Sequence, residues 1–237
     1  MFRIYISKLI FRSFVLCLVL LIYFFFPEWI QNAIKGTGGF TPIHLIWLLL
    51  FFGMILQMLA NDKYSKITMG SRKQFARTYT PPEEGYSKVS LYEYILKNNI
   101  RSWIVLLVWA GLIAVIGVLY LVGIIDAKEI FLLSIVFYVC DLICVIFWCP
   151  FQTFIIKNQC CINCRIFNWG HFMMYSPLLL VKSLFTWSLF FMSIVVLIRW
   201  EITYAMHPYR FWSGSNINLR CENCSDQMCK IKKPLTG

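Results

Sequence analysis

Two short stretches of this chain hold thiols at a spacing that suits metal ligation. Gln159-Cys160-Cys161-Ile162-Asn163-Cys164-Arg165 and Arg220-Cys221-Glu222-Asn223-Cys224-Ser225-Asp226-Gln227-Met228-Cys229 each contain a Cys-x-x-Cys, and both put Asn at its third position. That spacing lets two thiolates turn toward one ion while backbone N–H groups of the knuckle face the sulfurs. Two such pairs supply four soft ligands for tetrahedral zinc or for an iron–sulfur cluster. The expected ligands are therefore Cys161, Cys164, Cys221 and Cys224. Cys160 and Cys229 are surplus thiols that could extend a cluster ligand set or act in redox chemistry. The distance between the pairs is the obstacle: an ordinary zinc ribbon separates them by roughly 15 to 20 residues, and here a whole hydrophobic segment intervenes. A shared site requires that segment to return to the side it left.

Other polar groups stand out against apolar surroundings. Asp141 lies inside an apolar run between Cys140 and Cys144, where an ionised carboxylate is costly and is a functional candidate by default. The alternatives are a protonated acid bonded to a neighbouring helix, or a pair with Lys182, the one Lys of the later apolar stretch. His171 and His207 sit among aromatic residues between and beyond the clusters, as secondary ligands or proton donors. Their surroundings also suit a belt of aromatics at headgroup depth. His44, at the first turn of an apolar run, reads as an interfacial hydrogen-bonding residue. Cys17, Cys140, Cys144 and Cys149 fall within apolar runs and read as small packing residues.

The elements that must carry these groups are membrane helices. Of 237 residues 59% are hydrophobic and 14% charged, with a mean hydropathy of +0.69, against a usual charged share of about a quarter. This excludes a disordered chain and an ordinary soluble domain. The expectation is an all-α integral membrane protein, a bundle of about five transmembrane helices with a cysteine-rich membrane-proximal region. Residues 1–60 hold two spans, from Ser13 to Phe26 and from Ile43 to Ala60. Residues 61–102 form a basic cytoplasmic loop in which Ser90 and Glu93 have capping-box spacing, so an interfacial helix is expected near Leu91. Residues 103–156 make a two-span hairpin, Trp103 to Ile125 and Ile130 to Ile156. Residues 157–199 carry the first cysteine cluster and the last hydrophobic segment, and residues 200–237 form a cysteine-rich tail. The 34 residues from Ile166 to Arg199 are short of the roughly 40 that two full crossings need. They suit one crossing, or a partly re-entrant hairpin turning near Pro177 to Ser183. Ala110, Gly111, Ala114 and Gly117 mark a face of the third span where another backbone could approach.

The 22 Lys and Arg against 11 Asp and Glu are read as membrane orientation and lipid contact rather than nucleic-acid binding. Arg3, Lys8 and Arg12 put the N-terminus in the cytoplasm of a multi-pass cell-membrane protein. Arg199, Arg210, Arg220, Lys230, Lys232 and Lys233 place the tail there too, where reducing conditions favour metal over disulfides. His-Glu-x-x-His, Gly-x-Ser-x-Gly and phosphate-binding glycine loops are absent. The leading reading is a membrane metal centre, iron–sulfur or zinc, in electron transfer with a redox partner. The competing readings are a small ion or solute transporter with a structural zinc clasp, and an accessory subunit of a larger membrane complex.

Overall fold

A computed structural model of the chain describes residues 2–35, 42–58, 74, 76–158, 160 and 163–223. The described residues form helices and turns with no strand: α1 (Phe2–Phe25), α2 (Pro27–Lys35), α3 (Pro42–Met58), α4 (Lys88–Leu121), α5 (Ala127–Ile146), α6 (Gly170–Tyr175) and α7 (Leu184–Met206). Four of them, α1, α4, α5 and α7, are long and apolar enough to cross a bilayer, so among the described residues the expected count of about five is corrected to four. The difference lies in α3. Its 17 described residues rise about 25 Å at 1.5 Å per residue, against a hydrocarbon core of about 30 Å, and the end of the expected span at Ala60 lies outside the described residues.

Three boundaries depart from expectation for local reasons. The apolar run from Ile130 to Ile156 is broken: α5 ends at Ile146, and a separate π-helical turn, Phe151–Ile156, starts after Pro150. Pro150 has no N–H to donate and its ring clashes with the preceding turn, so hydropathy continues where the helix cannot. The interfacial helix expected near Leu91 is instead the opening of α4, which runs unbroken for 34 residues. Its N-cap is Ser87, whose hydroxyl accepts from the Ser90 backbone N–H at 3.4 Å, so Ser90 lies within the helix. The reciprocal box falls at α5, where the Asp126 backbone N–H donates to Glu129 Oε2 at 2.6 Å. At the far end of α4, Gly123 takes φ +80°. Its N–H reaches Tyr120 O and that of Ile124 reaches Leu119 O, a Schellman closure that favours glycine.

The direction of each helix follows from what its ends touch. Tyr5 of α1 packs with Leu142, Val145 and Ile146 of α5 and with Cys160 and Phe167. At the other end of α1, the Tyr23 hydroxyl donates to Glu129 Oε1 at 2.7 Å. The first of these is the cysteine end of the bundle and the second the far end. α3 starts at the far end beside α7, with His44 against Phe185 at 4.2 Å and Trp47 Nε1 donating to Ser188 Oγ at 2.9 Å. α4 starts at the cysteine end, where the Tyr94 hydroxyl donates to Phe211 O and Arg101 donates to Ile156 O. It finishes at the far end, where Ile116 packs with Ile30, Ile130 and Val181.

The last hydrophobic segment is a hairpin. Helical turns from Arg165 to Leu180, with α6 at their centre, run down the bundle, the chain reverses at Val181–Ser183, and α7 runs back. The reversal is held by Thr186, whose hydroxyl donates to Val181 O at 2.7 Å. The open end is held by Arg165 and Glu201 at 2.6 Å. The descending arm is too short to span and lies inside the protein, with Met174, Tyr175, Ser176, Pro177 and Leu178 all buried. Trp109 of α4 donates to the Ser176 hydroxyl at 2.9 Å, which supplies the polar partner a buried indole N–H needs. The small-residue face of α4 serves packing only in part: Gly117 approaches Leu180, whereas a Cβ on Gly111 would meet nothing within 4 Å.

Candidate functional site

Because the descending arm and α7 form a hairpin, the chain returns to the cysteine end it left. Cys164 is 3% exposed there, packed with Val105, Ile156, Ile166 and Trp169. Cys160 is half-buried beside Tyr5, and Cys221 is exposed. The two knuckle asparagines reach the same turn, Ile217–Leu219: Asn163 Nδ2 donates to Leu219 O at 2.6 Å, and Asn223 Nδ2 donates to Ile217 O at 3.3 Å. That turn is fixed in its own right. Ile217 N donates to Thr80 O at 3.0 Å, Asn218 Nδ2 donates to Thr78 O, and buried Asn216 donates to Arg210 O. Tyr79 stacks edge-on against Tyr209 beside it, 5.0 Å between ring centres. Burial, and then the neighbouring phenols Tyr86 and Tyr209, push its hydroxyl above the usual phenol range, so it stays neutral.

Cys161, Cys224 and Cys229 lie outside the described residues. Among the described residues no three His, Cys, Asp or Glu side chains converge on a point that could hold a metal ion. His207 follows α7 and shares a hydrogen bond between its Nδ1 and the Tyr209 hydroxyl at 3.1 Å. His171 lies on α6 with its ring parallel to Tyr175, centres 6.3 Å apart. His44 is 3% exposed, so it belongs to the interior rather than to the wet interface its position suggests.

Asp141 is paired with Arg12. The Arg12 Nη1 donates to Asp141 Oδ2 at 2.8 Å and to Tyr138 O at 2.6 Å, and the guanidinium lies 4.1 Å from the centre of the Tyr138 ring. Of the alternatives for Asp141, the pair with Lys182 is not the one formed. Lys182 is exposed in the hairpin turn next to Val181, which packs at the far end, whereas Asp141 sits one turn and a half from the cysteine end of α5. Sequence reading missed Arg12 because it counted that residue with the charged flank before Ser13. α1 begins at Phe2 and carries Arg12 well into the helix.

The Asp141 carboxylate also lies against the backbone of the descending arm. A Cβ on Gly170 would stand 2.7 Å from Asp141 Oδ1 and 3.5 Å from Asp141 Cγ. We expect Gly170→Ala to lower stability by about 1 to 3 kcal/mol, the cost of overpacking a site that cannot give freely. Thermal unfolding in mild detergent measures it. With Asp141→Ala the two losses should add to less than their sum, because one contact is shared; full additivity would mean the clash is not with the carboxylate.

Next to this pair is a mostly apolar cavity of about 420 Å³. Cys140, Cys144, Cys149 and Cys164 line it, together with Met173 and Met174. Three thiols that the sequence assigns to packing therefore share one space with a knuckle cysteine. The chain matches no protein-family model, and comparison with curated proteins and with solved structures finds no match.

Proposed function

We propose that the chain is a multispan membrane metalloprotein with a cysteine-ligated centre, an iron–sulfur cluster or zinc, at the cysteine end of the bundle, working in electron transfer. The observation that carries this reading is the convergence of Asn163 and Asn223 on the Ile217–Leu219 turn. It removes the objection raised by the long gap, since the intervening segment is a hairpin that begins and ends on one side. Cys161, Cys164, Cys221 and Cys224 would hold the centre, with Cys160 and Cys229 as surplus thiols. The knuckle asparagines would set the loop geometry, a supporting contact of the kind that orients ligands. When bound, an iron–sulfur cluster would supply one-electron redox chemistry. The apolar cavity that Cys164 borders would admit a redox partner soluble in the bilayer.

Charge supports a cytosolic setting for this end. Lys8, Arg12, Lys97, Arg101, Lys157, Arg165, Arg199, Arg210 and Arg220 lie on elements or turns toward it, against Lys35, Lys128 and Lys182 at the far end. By the positive-inside tendency the basic end faces the cytoplasm.

The test is metal and acid-labile sulfide analysis with an absorption spectrum, on protein purified in detergent without oxygen. Iron, sulfide and a visible band are expected in the wild type and should be lost in Cys161→Ser/Cys224→Ser. Stoichiometric zinc without colour would remove electron transfer and leave a structural clasp. Protein with no bound metal that retains full stability would overturn the reading.

A further inference from the structure

A second cavity, of about 240 Å³, opens between α4 and α7 near the cysteine end, with Asn99, Ser102, Trp103, Arg165, Leu197 and Glu201 in its wall. Some of its polar groups are paired within the protein and some are not. Arg165 Nη2 donates to Glu201 Oε2 at 2.6 Å and the guanidinium lies 3.5 Å from the Tyr204 ring centre. Yet Arg165 Nε and Nη1, Ser102 Oγ and Asn99 Oδ1 are all buried with no hydrogen-bond partner among the described residues. The Arg165 side chain is 9% exposed and Ser102 is 2% exposed. Buried polar atoms left unmet are rare in native proteins and call for an unseen partner.

The chemistry of that partner can be read from the wall. Two guanidinium nitrogens and a hydroxyl ask for acceptor oxygens, and Asn99 Oδ1 asks for a donor. Glu201 already offsets the Arg165 charge, which favours a singly charged group over a phosphate monoester. The rest of the wall is apolar: Trp103, Leu106 and Leu197. On the same two helices, Ile104 and Leu107 of α4 and Val195 and Ile198 of α7 are exposed apolar side chains that acyl chains could cover. Basic pockets between membrane helices are a known setting for anionic lipid headgroups. We propose that this cavity binds the phosphodiester headgroup of a glycerophospholipid. The phosphate oxygens would accept from Arg165 and Ser102, a headgroup hydroxyl or amine would donate to Asn99, and the chains would lie along α4 and α7.

The experiment uses the full chain, stripped of lipid in maltoside detergent, and phosphatidylglycerol with brominated acyl chains as the quencher. Trp103 is the reporter, taken as the difference in fluorescence between wild type and Trp103→Phe. Saturable quenching is expected, and Ser102→Ala and Asn99→Ala should each weaken it by about fivefold, the size of one modest hydrogen bond. Their melting temperatures without lipid should match the wild type, which separates lost binding from lost folding. Quenching that rises without saturation and is the same in both variants would mean bulk lipid or water at the site, and would overturn the proposal. Full competition by free glycerol phosphate would overturn it as well, since the ligand would then be a soluble phosphodiester or monoester rather than a lipid.

Discussion

Asp141→Leu should destabilise the bundle by about 2 kcal/mol, because removing one member of a half-buried ion pair leaves the other without its partner. Arg12 would keep its bond to Tyr138 O and its place over the Tyr138 ring, but its charge would lose the carboxylate 2.8 Å away. Asp141, 26% exposed, is less buried than Arg12, 14% exposed, and is the cheaper of the two to leave alone. Arg12→Leu should therefore cost less than Asp141→Leu. With both replaced, two leucines would face each other across the contact between α1 and α5, and stability should return to within about 1 kcal/mol of the wild type. Reversible unfolding in detergent micelles, run as a double-mutant cycle, gives all three values. Equal losses in the two single variants, carried additively into the double, would show that the pair contributes no coupling. The pair would then fail as the element that fixes α1 against α5.

How much of this was legible beforehand differs by kind of information. Composition and long apolar runs were enough to expect helices that can cross a bilayer, since a bilayer admits few other ways to satisfy backbone polar groups, and the described residues are helical with four such helices. Helix ends were harder. The break at Pro150 is a backbone constraint inside continuous hydropathy, and the shift of the α4 cap from Ser90 to Ser87 is a choice between two serines that local sequence does not decide. Partners between helices were the least legible. Arg12 and Asp141 are 129 residues apart, and nothing in either helix states which face or depth meets the other. Asp141 could be recognised as needing a partner, but the choice between Arg12 and Lys182 required knowing that Lys182 sits in a turn at the far end. The asparagines were visible as a shared feature of the two knuckles. Their common target became visible only once the last apolar segment was seen to double back.

The second ion pair, in which Arg165 is nearly buried and Glu201 is a third exposed, should give the larger effect and one that reaches the knuckle. Glu201 accepts from Arg165 at 2.6 Å through one oxygen and from Trp169 Nε1 at 2.7 Å through the other. Arg165 and Trp169 are one helical turn apart, so a single carboxylate on α7 holds two points of the descending arm. Glu201→Leu leaves a nearly buried guanidinium and an indole N–H without acceptors at once. We expect a loss of about 4 kcal/mol from the stranded charge and the unmet donor together. Glu201→Gln keeps an acceptor for one of the two donors and should recover about half of that loss. The sharper distinction is where the damage travels. Arg165 directly follows Cys164, and Asn163 two residues earlier holds the Ile217–Leu219 turn. Loosening the open end of the hairpin should therefore speed amide exchange across 163–169 and lower the bound metal proposed above. Asp141→Leu, on α5, should leave both readouts near the wild type after allowance for global stability. Equal metal retention in Glu201→Leu and Asp141→Leu would mean that the hairpin's open end does not position the knuckle, and that Asn163 alone sets its geometry.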